Sequence, residues 1–186
     1  STACHDDGSC ILPIIGCTDT TAINFDPNAN TTFAFGGALD KTIGNGNYFN
    51  GNQHLIFNSY KQCIIKSAII DSESSNTITF ELRDSGGVVI DDTTLNISAG
   101  IQKVNLNFDV PVGNDLQLGV ANNSLQTNGL YRNSTGANYP YNIGSAISIT
   151  QSSASTNPFD YYYFFYNIEI EIKCVSYPDS WDCDSQ

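Results

Sequence analysis

Side chains that could catalyse a reaction are few and widely spaced. The two histidines, His5 and His54, belong to no Ser-His-Asp grouping and no HExxH motif. Glu169 and Glu171 are two residues apart on a predicted strand, so their carboxylates share one face and could serve a glycosidase. The same spacing is typical of the solvent face of a strand, and we favour that interpretation. The sequence therefore predicts a protein that is not an enzyme.

Calcium binding near the N-terminus is a second candidate chemistry. Asp26, Asn28 and Asn30 alternate, a spacing at which oxygen side chains converge on one Ca²⁺, but the glycine and bidentate glutamate of an EF-hand loop are absent. The alternative interpretation is a series of Asx turns. Calcium is the one cofactor that the pattern indicates. The candidate ligands are Asp6, Asp7, Asp19, Asp26, Asn28 and Asn30.

An unbroken aromatic run, Tyr161–Tyr166, offers a binding surface. Side chains alternate between the faces of a strand, so the even positions should join Ile168 in the core. Tyr161, Tyr163 and Phe165 are then predicted to face outward, where they could stack on sugar rings or pack against a neighbouring module. Alternatively, a Gly/Asn-rich loop at residues 36–52 covers this face.

Arg132, one of only two arginines, lies among tyrosines in a predicted loop. A guanidinium beside aromatic and amide side chains can bind a hydroxyl or a carboxylate of a glycan. Alternatively, Arg132 pairs with an acidic neighbour and fixes the loop. The candidate ligand-binding residues of this loop are Tyr131, Arg132, Asn133, Tyr139 and Tyr141.

The cysteines indicate disulfide bonds rather than zinc. There is no CxxC pair and there are only two histidines, so a structural zinc site is not expected. Six cysteines allow 15 pairings by combinatorics. We predict Cys63–Cys174, because Cys63 opens one predicted strand and Cys174 ends the last. The remaining cysteines would then pair among themselves: Cys4, Cys10, Cys17 and Cys183.

Most of the chain alternates apolar and polar residues with a period of two. Ile78, Phe80 and Leu82 form one such run, and Ile168, Ile170 and Ile172 form another. Gly- and Asn-containing turns separate the runs, and no amphipathic helix is evident. Roughly eight or nine short strands of this kind predict an antiparallel, jelly-roll-like β-sandwich. The predicted units are a Cys/Asp-rich segment at 1–32, the sandwich at 33–175, and a junction tail at 176–186.

Charge and hydropathy exclude two classes of partner. The formal net charge is −12, which opposes binding to nucleic-acid phosphates. No apolar run approaches the roughly 20 residues that span a bilayer, so we expect no direct membrane insertion.

The N-terminal sequence resembles a known repeat. Asp6–Cys10 (Asp-Asp-Gly-Ser-Cys), Gly16–Asp19 (Gly-Cys-Thr-Asp) and Asn24–Asn30 (Asn-Phe-Asp-Pro-Asn-Ala-Asn) are similar to the short Cys-containing repeats of large secreted proteins of Bacteroidota. The match covers about the first thirty residues. It departs from the repeat at Ile23, where a cysteine is common, and after Asn30, where no second Asp-Asp-Gly-Ser-Cys follows.

The body also resembles modules of adhesin-like, gliding-associated surface proteins of the same bacteria. The similarity lies in Gly129–Asn133, Tyr139–Tyr141, Ile147–Thr150 and Tyr161–Tyr166. These proteins commonly use the type IX secretion route, which implies an extracellular, cell-surface location. Since the chain lacks methionine even at position 1 and shows no sorting domain of that route, we expect an internal module or a fragment. Asp-Thr-Thr triplets resemble the O-glycosylation signal of these bacteria. They place candidate sites at Thr20 and Thr93.

Together these features predict a non-catalytic surface module. It would be a structural, filament-forming or repeat unit of an adhesin that assembles through its terminal segments with other copies or neighbouring modules. The alternative is a carbohydrate-binding domain that recognises polysaccharide, with calcium as an aid.

Overall fold

The structure, a computed structural model, describes residues 13–122, 124–125 and 129–176. It is built from β-strands and one 3₁₀ turn at Lys41–Ile43. The strands described are β1 Phe33–Gly36, β2 Gly46–Phe49, β3 His54–Ser59, β4 Cys63–Ser72, β5 Asn76–Arg83, β6 Val89–Ile97, β7 Gly100–Val110, β8 Gly113–Val120, β9 Leu130–Asn133, β10 Tyr141–Ile143, β11 Ile147–Ser152, β12 Tyr162–Tyr163 and β13 Tyr166–Ile172.

Two antiparallel sheets pack face to face. The first has the order β1-β13-β4-β9-β12, with β2 also paired to β9 and β7 also paired to β4. The second has the order β10-β11-β3-β8-β5-β6. Strands from the start and from the end of the chain are neighbours in both sheets: β1 lies beside β13, and β3 lies beside β11. Hydrogen bonds between strands therefore hold the two ends of the sandwich together. The predicted all-β sandwich is confirmed.

Period-two alternation positions the core as the sequence predicts. On β5, Ile78, Phe80 and Leu82 are fully buried, and on β13, Ile168, Ile170 and Ile172 are buried. The intervening residues of β13, Asn167, Glu169 and Glu171, are only partly buried. One face of each strand therefore fills the space between the sheets, and the hydrophobic effect fixes its register.

Residues 36–52 are not the loop that their Gly/Asn content predicts. They contain the end of β1, the 3₁₀ turn and β2, and β2 pairs with β9 along its length. A Cβ on Gly46 would lie 2.1 Å from the carbonyl oxygen of Arg132. Glycine is required there because the two backbones approach closely, so it marks a strand contact rather than a flexible segment.

The predicted Cys63–Cys174 disulfide is wrong. Cys17 bonds to Cys174, with Cα atoms 5.1 Å apart and a sequence separation of 157. Cys63 lies opposite Ile172 in the β4–β13 register, so Cys174 lies beyond the point that Cys63 faces. Cys63 is a free, fully buried thiol, and its burial raises its pKa to about 11. Three other cysteines of the predicted pairing lie outside the described residues: Cys4, Cys10 and Cys183.

The predicted outward aromatic row is also wrong, and the alternative that residues 36–52 cover this face holds for Tyr163, whose ring centroid lies 5.8 Å from that of Phe49. Tyr163 and Phe165 are buried as completely as Tyr162 and Phe164, and Tyr161 is half-buried. The run is not one strand, because Phe164 adopts a φ of 68° and the amide of Phe165 donates to the carbonyl of Tyr163 at 2.9 Å. This left-handed kink between β12 and β13 breaks the alternation, so both parities turn inward.

Candidate functional site

Arg132 lies among three aromatic rings. Its guanidinium carbon is 4.4 Å from the ring centroid of Phe49, 4.6 Å from that of Tyr161 and 5.7 Å from that of Tyr163. Antiparallel pairing creates this arrangement, since Arg132 on β9 opposes Tyr163 on β12 and Leu130 opposes Phe49 on β2. We call Arg132 with Phe49, Tyr161 and Tyr163 the arginine cradle.

The arginine cradle is held by cation–π contacts. Most lysine and arginine side chains in the described ranges pair with carboxylates, as in Lys41–Asp71 and Lys103–Glu169, whereas Arg132, like Lys61, forms no ion pair there. Burial raises the pKa of Tyr163, and the positive charge of Arg132 partly opposes that shift. A guanidinium over a ring keeps its N–H donors in its own plane, where a hydroxyl or an anion can accept them.

The predicted polar-aromatic loop is divided by the sheet. Residues Leu130–Asn133 form β9, so Tyr131 and Asn133 point away from the face of Arg132. Tyr131 packs edge-on against Tyr48 at 5.6 Å. Asn133 is fully buried, donates to the carbonyls of Lys41 and Gly44, and accepts from Tyr166. The prediction of a single loop is therefore wrong, because alternation in a strand separates neighbours in sequence.

Tyr139 and Tyr141 belong to a second aromatic cluster. Tyr139 stacks on Tyr162 at 6.1 Å, packs edge-on against Tyr141 at 5.3 Å, and donates its hydroxyl to the carbonyl of Tyr161 at 2.8 Å. The hydroxyl of Tyr162 donates to the carbonyl of Phe165 and accepts from the amide of Ala38. Burial raises the pKa of Tyr139 and Tyr162 far above that of a free phenol. These phenols act as internal hydrogen-bonding groups that connect loops to the core.

Sequence reasoning missed a buried anion at the end of β4. Asp71 is buried, and its carboxylate accepts from Lys41 Nζ at 2.6 Å and from the hydroxyl of Tyr48 at 3.3 Å. The hydrogen bond to Asp71 raises the pKa of Lys41, against the effect of desolvation. An aspartate ending the apolar run of β4 was the available signal, because a buried carboxylate needs a cationic or hydrogen-bonding partner.

Segment 13–32 uses its polar side chains for turns. Asp26 Oδ1 accepts from the amide of Asn28 at 3.0 Å, and Asn30 Oδ1 accepts from the amide of Ile14 at 3.0 Å. Asp19 accepts from both the amide and the hydroxyl of Thr21, and these bonds lower its pKa. No group of three or more His, Cys, Asp or Glu side chains within the described ranges is placed to hold a metal ion. Asp6 and Asp7 lie outside those ranges, and calcium binding stays a prediction.

Glu169 and Glu171 are each bound to a cation. Glu169 accepts from Lys103 and from Ser67, both at 2.7 Å, and these bonds lower its pKa, the lysine contributing most. Glu171 lies 3.5 Å from Lys66. Both side chains extend from the outer face of β13, as the strand interpretation predicts. Of the candidate glycosylation sites, Thr20 is exposed and Thr93 is half-buried on edge strand β6.

The N-terminal segment is fastened to the end of β13. Besides the Cys17–Cys174 disulfide, the amide of Ile23 donates to the carbonyl of Val175 at 2.8 Å. Asn24 donates to the carbonyl of Lys173 at 2.7 Å and accepts from the amide of Val175 at 2.9 Å. We call this group the terminal clasp: Cys17, Ile23, Asn24, Lys173, Cys174 and Val175.

The fold and these contacts define a two-sheet, antiparallel β-sandwich closed by a disulfide. No protein-family description matches the chain, and comparison with curated proteins and with solved structures gives no significant match. In the part of the chain that the structure describes, no helix is long and apolar enough to cross a membrane.

Proposed function

We propose that this chain is a non-catalytic structural module of a secreted bacterial surface protein, joined to further modules or copies through its terminal segments. The terminal clasp carries the proposal. It joins the chain before the sandwich to the chain after it, with Cα atoms 5.1 Å apart. The N-terminal resemblance to repeats of secreted Bacteroidota proteins supports the extracellular location, where disulfides persist.

A covalent clasp changes how a module transmits tension. If neighbours pull on the two ends, the force passes from Cys17 through the disulfide to Cys174. The sandwich lies within the closed loop, between two cysteines 157 positions apart, and carries none of that force. Such a module keeps its folded surface intact while its anchoring chain is stretched, a property expected of an adhesin or filament unit.

Single-molecule pulling on the two chain ends tests the proposal. Under oxidising conditions we expect no extension from the sandwich. Reduction should release about 560 Å of contour length, because the closed loop spans 157 positions at about 3.6 Å each. Cys174→Ser should show the same release without reductant, and Cys63→Ala, which leaves the clasp intact, should not. Full unfolding of the oxidised protein at low force would contradict the proposal.

A second candidate function, carbohydrate binding, is favoured by the arginine cradle. Arg132 is held by rings, and no carboxylate pairs with it in the described part of the chain. Tyr161 and Phe49 are partly exposed, so a sugar could pack against these rings beside the guanidinium.

Binding to a panel of neutral and uronic-acid polysaccharides, with and without a calcium chelator, tests this candidate. Arg132→Ala should abolish binding, whereas Lys61→Ala, which alters another cation without a carboxylate partner in the described ranges, should leave it unchanged. Equal binding by both variants would exclude the cradle as the site.

A further inference from the structure

The edge strand β1 presents two phenylalanines to solvent. Phe33 is 42% exposed and Phe35 is 58% exposed. Gly36, at the end of the strand, lies against Ile143. β1 pairs with β13 on one side, and no described strand pairs with its other side. Most exposed aromatic side chains of a monomer stand alone on the surface, but these two share one face of an edge strand.

The outer backbone groups of this strand belong to the same two residues. The amide of Ile172 donates to the carbonyl of Thr32 at 2.8 Å, so alternation in an antiparallel ladder turns Thr32, Ala34 and Gly36 toward β13. The backbone groups of Phe33 and Phe35 then face away from the sheet. Consistent with this, the Phe33 amide donates to Thr31 Oγ1 at 3.1 Å and the Phe33 carbonyl accepts from the same hydroxyl at 3.4 Å, two local contacts that pairing with another strand would replace.

An open groove runs beside this edge. It has a volume of about 760 Å³, and its walls include Pro13, Ile15, Phe33, Phe35 and Gly144. Residues 14–16 already pair with the chain at the start of the groove, where the amide of Gly16 donates to the carbonyl of Thr31 at 3.0 Å. That pairing ends at Thr31, so a further strand can add only along β1 itself.

Apolar exposure is concentrated around this strand, and charge is absent from it. No Asp, Glu, Lys or Arg occurs from Pro27 to Leu39, although the protein carries a net charge of −12. The nearest charges on the same face are Glu171 and Glu169 of β13, which lie opposite Phe33 and Phe35, and each is paired with a lysine. A second copy could therefore approach along this strip without meeting an unpaired carboxylate of β13. The large exposed apolar side chains between residues 14 and 39 are Ile14, Ile23, Phe25, Phe33, Phe35 and Leu39.

We infer that the free edge of β1 pairs with the β1 edge of a second copy, antiparallel about a two-fold axis through Ala34. The inference goes beyond the proposed function, because β1 belongs to the sandwich and adds a contact between copies to the one made through the terminal segments. In this register Phe33 opposes Phe35 of the other copy, so two aromatic cross-strand pairs form. The backbone groups of Thr31 already bond to residues 14–16, so the new ladder is confined to Phe33–Phe35. The contact is self-complementary and closes as a dimer.

Sedimentation over a range of concentrations tests the pairing. We expect a reversible dimer, and Phe35→Glu should raise its dissociation constant by roughly a factor of ten or more, since it places carboxylates against phenylalanine rings. Ile101→Glu is the matched control, because Ile101 is 64% exposed and lies on β7, which β13 and β4 separate from β1 in the sheet. A wild-type monomer at every concentration, or equal dissociation by both variants, would overturn the inference.

A covalent trap tests the register even if Phe35→Glu fails to fold. Ala34 would face its own counterpart as a non-hydrogen-bonded pair, in which Cα atoms lie about 4.5 Å apart, within disulfide range. Ala34→Cys should therefore form a disulfide between the substituted positions of two copies, and Leu39→Cys should not. Absence of the Ala34→Cys cross-link overturns the two-fold register. Neither variant touches the terminal clasp, so the pulling experiment tests the proposed function independently.

Discussion

Cys17 and Cys174 stand 157 positions apart in the chain and are joined by a disulfide across a Cα separation of 5.1 Å. All the described strands, from β1 to β13, lie inside this loop. The bond therefore restricts the unfolded chain far more than a local disulfide would, and it ties segment 13–32 to the final strand.

Removal of this bond should destabilise the protein strongly. For a loop of this length, the chain-entropy argument gives about 5 kcal/mol of stabilisation through the unfolded state. We expect Cys17→Ser and Cys174→Ser to lower the free energy of unfolding by a similar amount each, measured by denaturant titration. The double variant should lose little more free energy of unfolding than either single variant, because all three lack the same disulfide bond. Clearly additive effects would indicate roles beyond the disulfide.

Thiol labelling should distinguish Cys63 from the bonded pair. Cys63 is buried and its pKa is raised to about 11, so alkylation of the native protein at pH 8 should leave it unmodified. Unfolding without reductant should expose Cys63 to the reagent while Cys17 and Cys174 remain protected. Peptide mapping by mass spectrometry reads this outcome, and labelling of Cys174 without reductant would contradict the pairing.

Truncation of Tyr163 should act on stability. Its ring is buried and contacts Phe49, Tyr161 and Phe164, so Tyr163→Ala should cost about 3–5 kcal/mol, as large-to-small core substitutions do. Phe159→Ala, at an exposed aromatic before β12, should leave the melting temperature nearly unchanged. An unaltered melt for Tyr163→Ala would restore the outward orientation that the sequence pattern predicts.

The Asp71 carboxylate should anchor the turn that precedes β2. Asp71→Ala leaves Lys41 and Tyr48 without their shared acceptor, and we expect a loss of about 1–3 kcal/mol in the free energy of unfolding. Hydrogen exchange should accelerate first in residues 41–48. Lys61→Ala offers a control, since Lys61 forms no ion pair in the described ranges. Uniform exchange throughout the protein would indicate global rather than local loosening.

His54 should make the protein less stable in mild acid. Burial, with a smaller contribution from Arg83, lowers its pKa from 6.5 to about 4, and its Nδ1 has no hydrogen-bond partner among the described residues. The unfolded chain then binds the proton more readily, so stability is complete above pH 6.5 and falls as pH decreases toward 4. After allowance for solvent screening, the loss is about 1–2 kcal/mol. Urea titrations at pH 7 and 4.5 should show a smaller pH effect for His54→Asn than for the wild type.

The alternation of apolar side chains was sufficient to predict the sandwich. Ile78, Phe80 and Leu82 are buried because a strand has a strict two-residue period, a property local to each segment. The same reasoning predicted the solvent face of β13, where Glu169 and Glu171 each lie beside a lysine. The sequence was thus sufficient to predict which face of each of these strands is buried, because that depends only on neighbouring residues.

Features that depend on how distant strands meet were decided by the tertiary structure. Cys174 pairs with Cys17 because β13 ends at Ile172 and the chain then meets segment 13–32, a relationship that no local pattern encodes. Phe165 is buried because a left-handed kink at Phe164 reverses the alternation. The arginine cradle likewise forms only when β2, β9 and β12 pair. Such contacts are long-range, and their register follows from packing of the whole core.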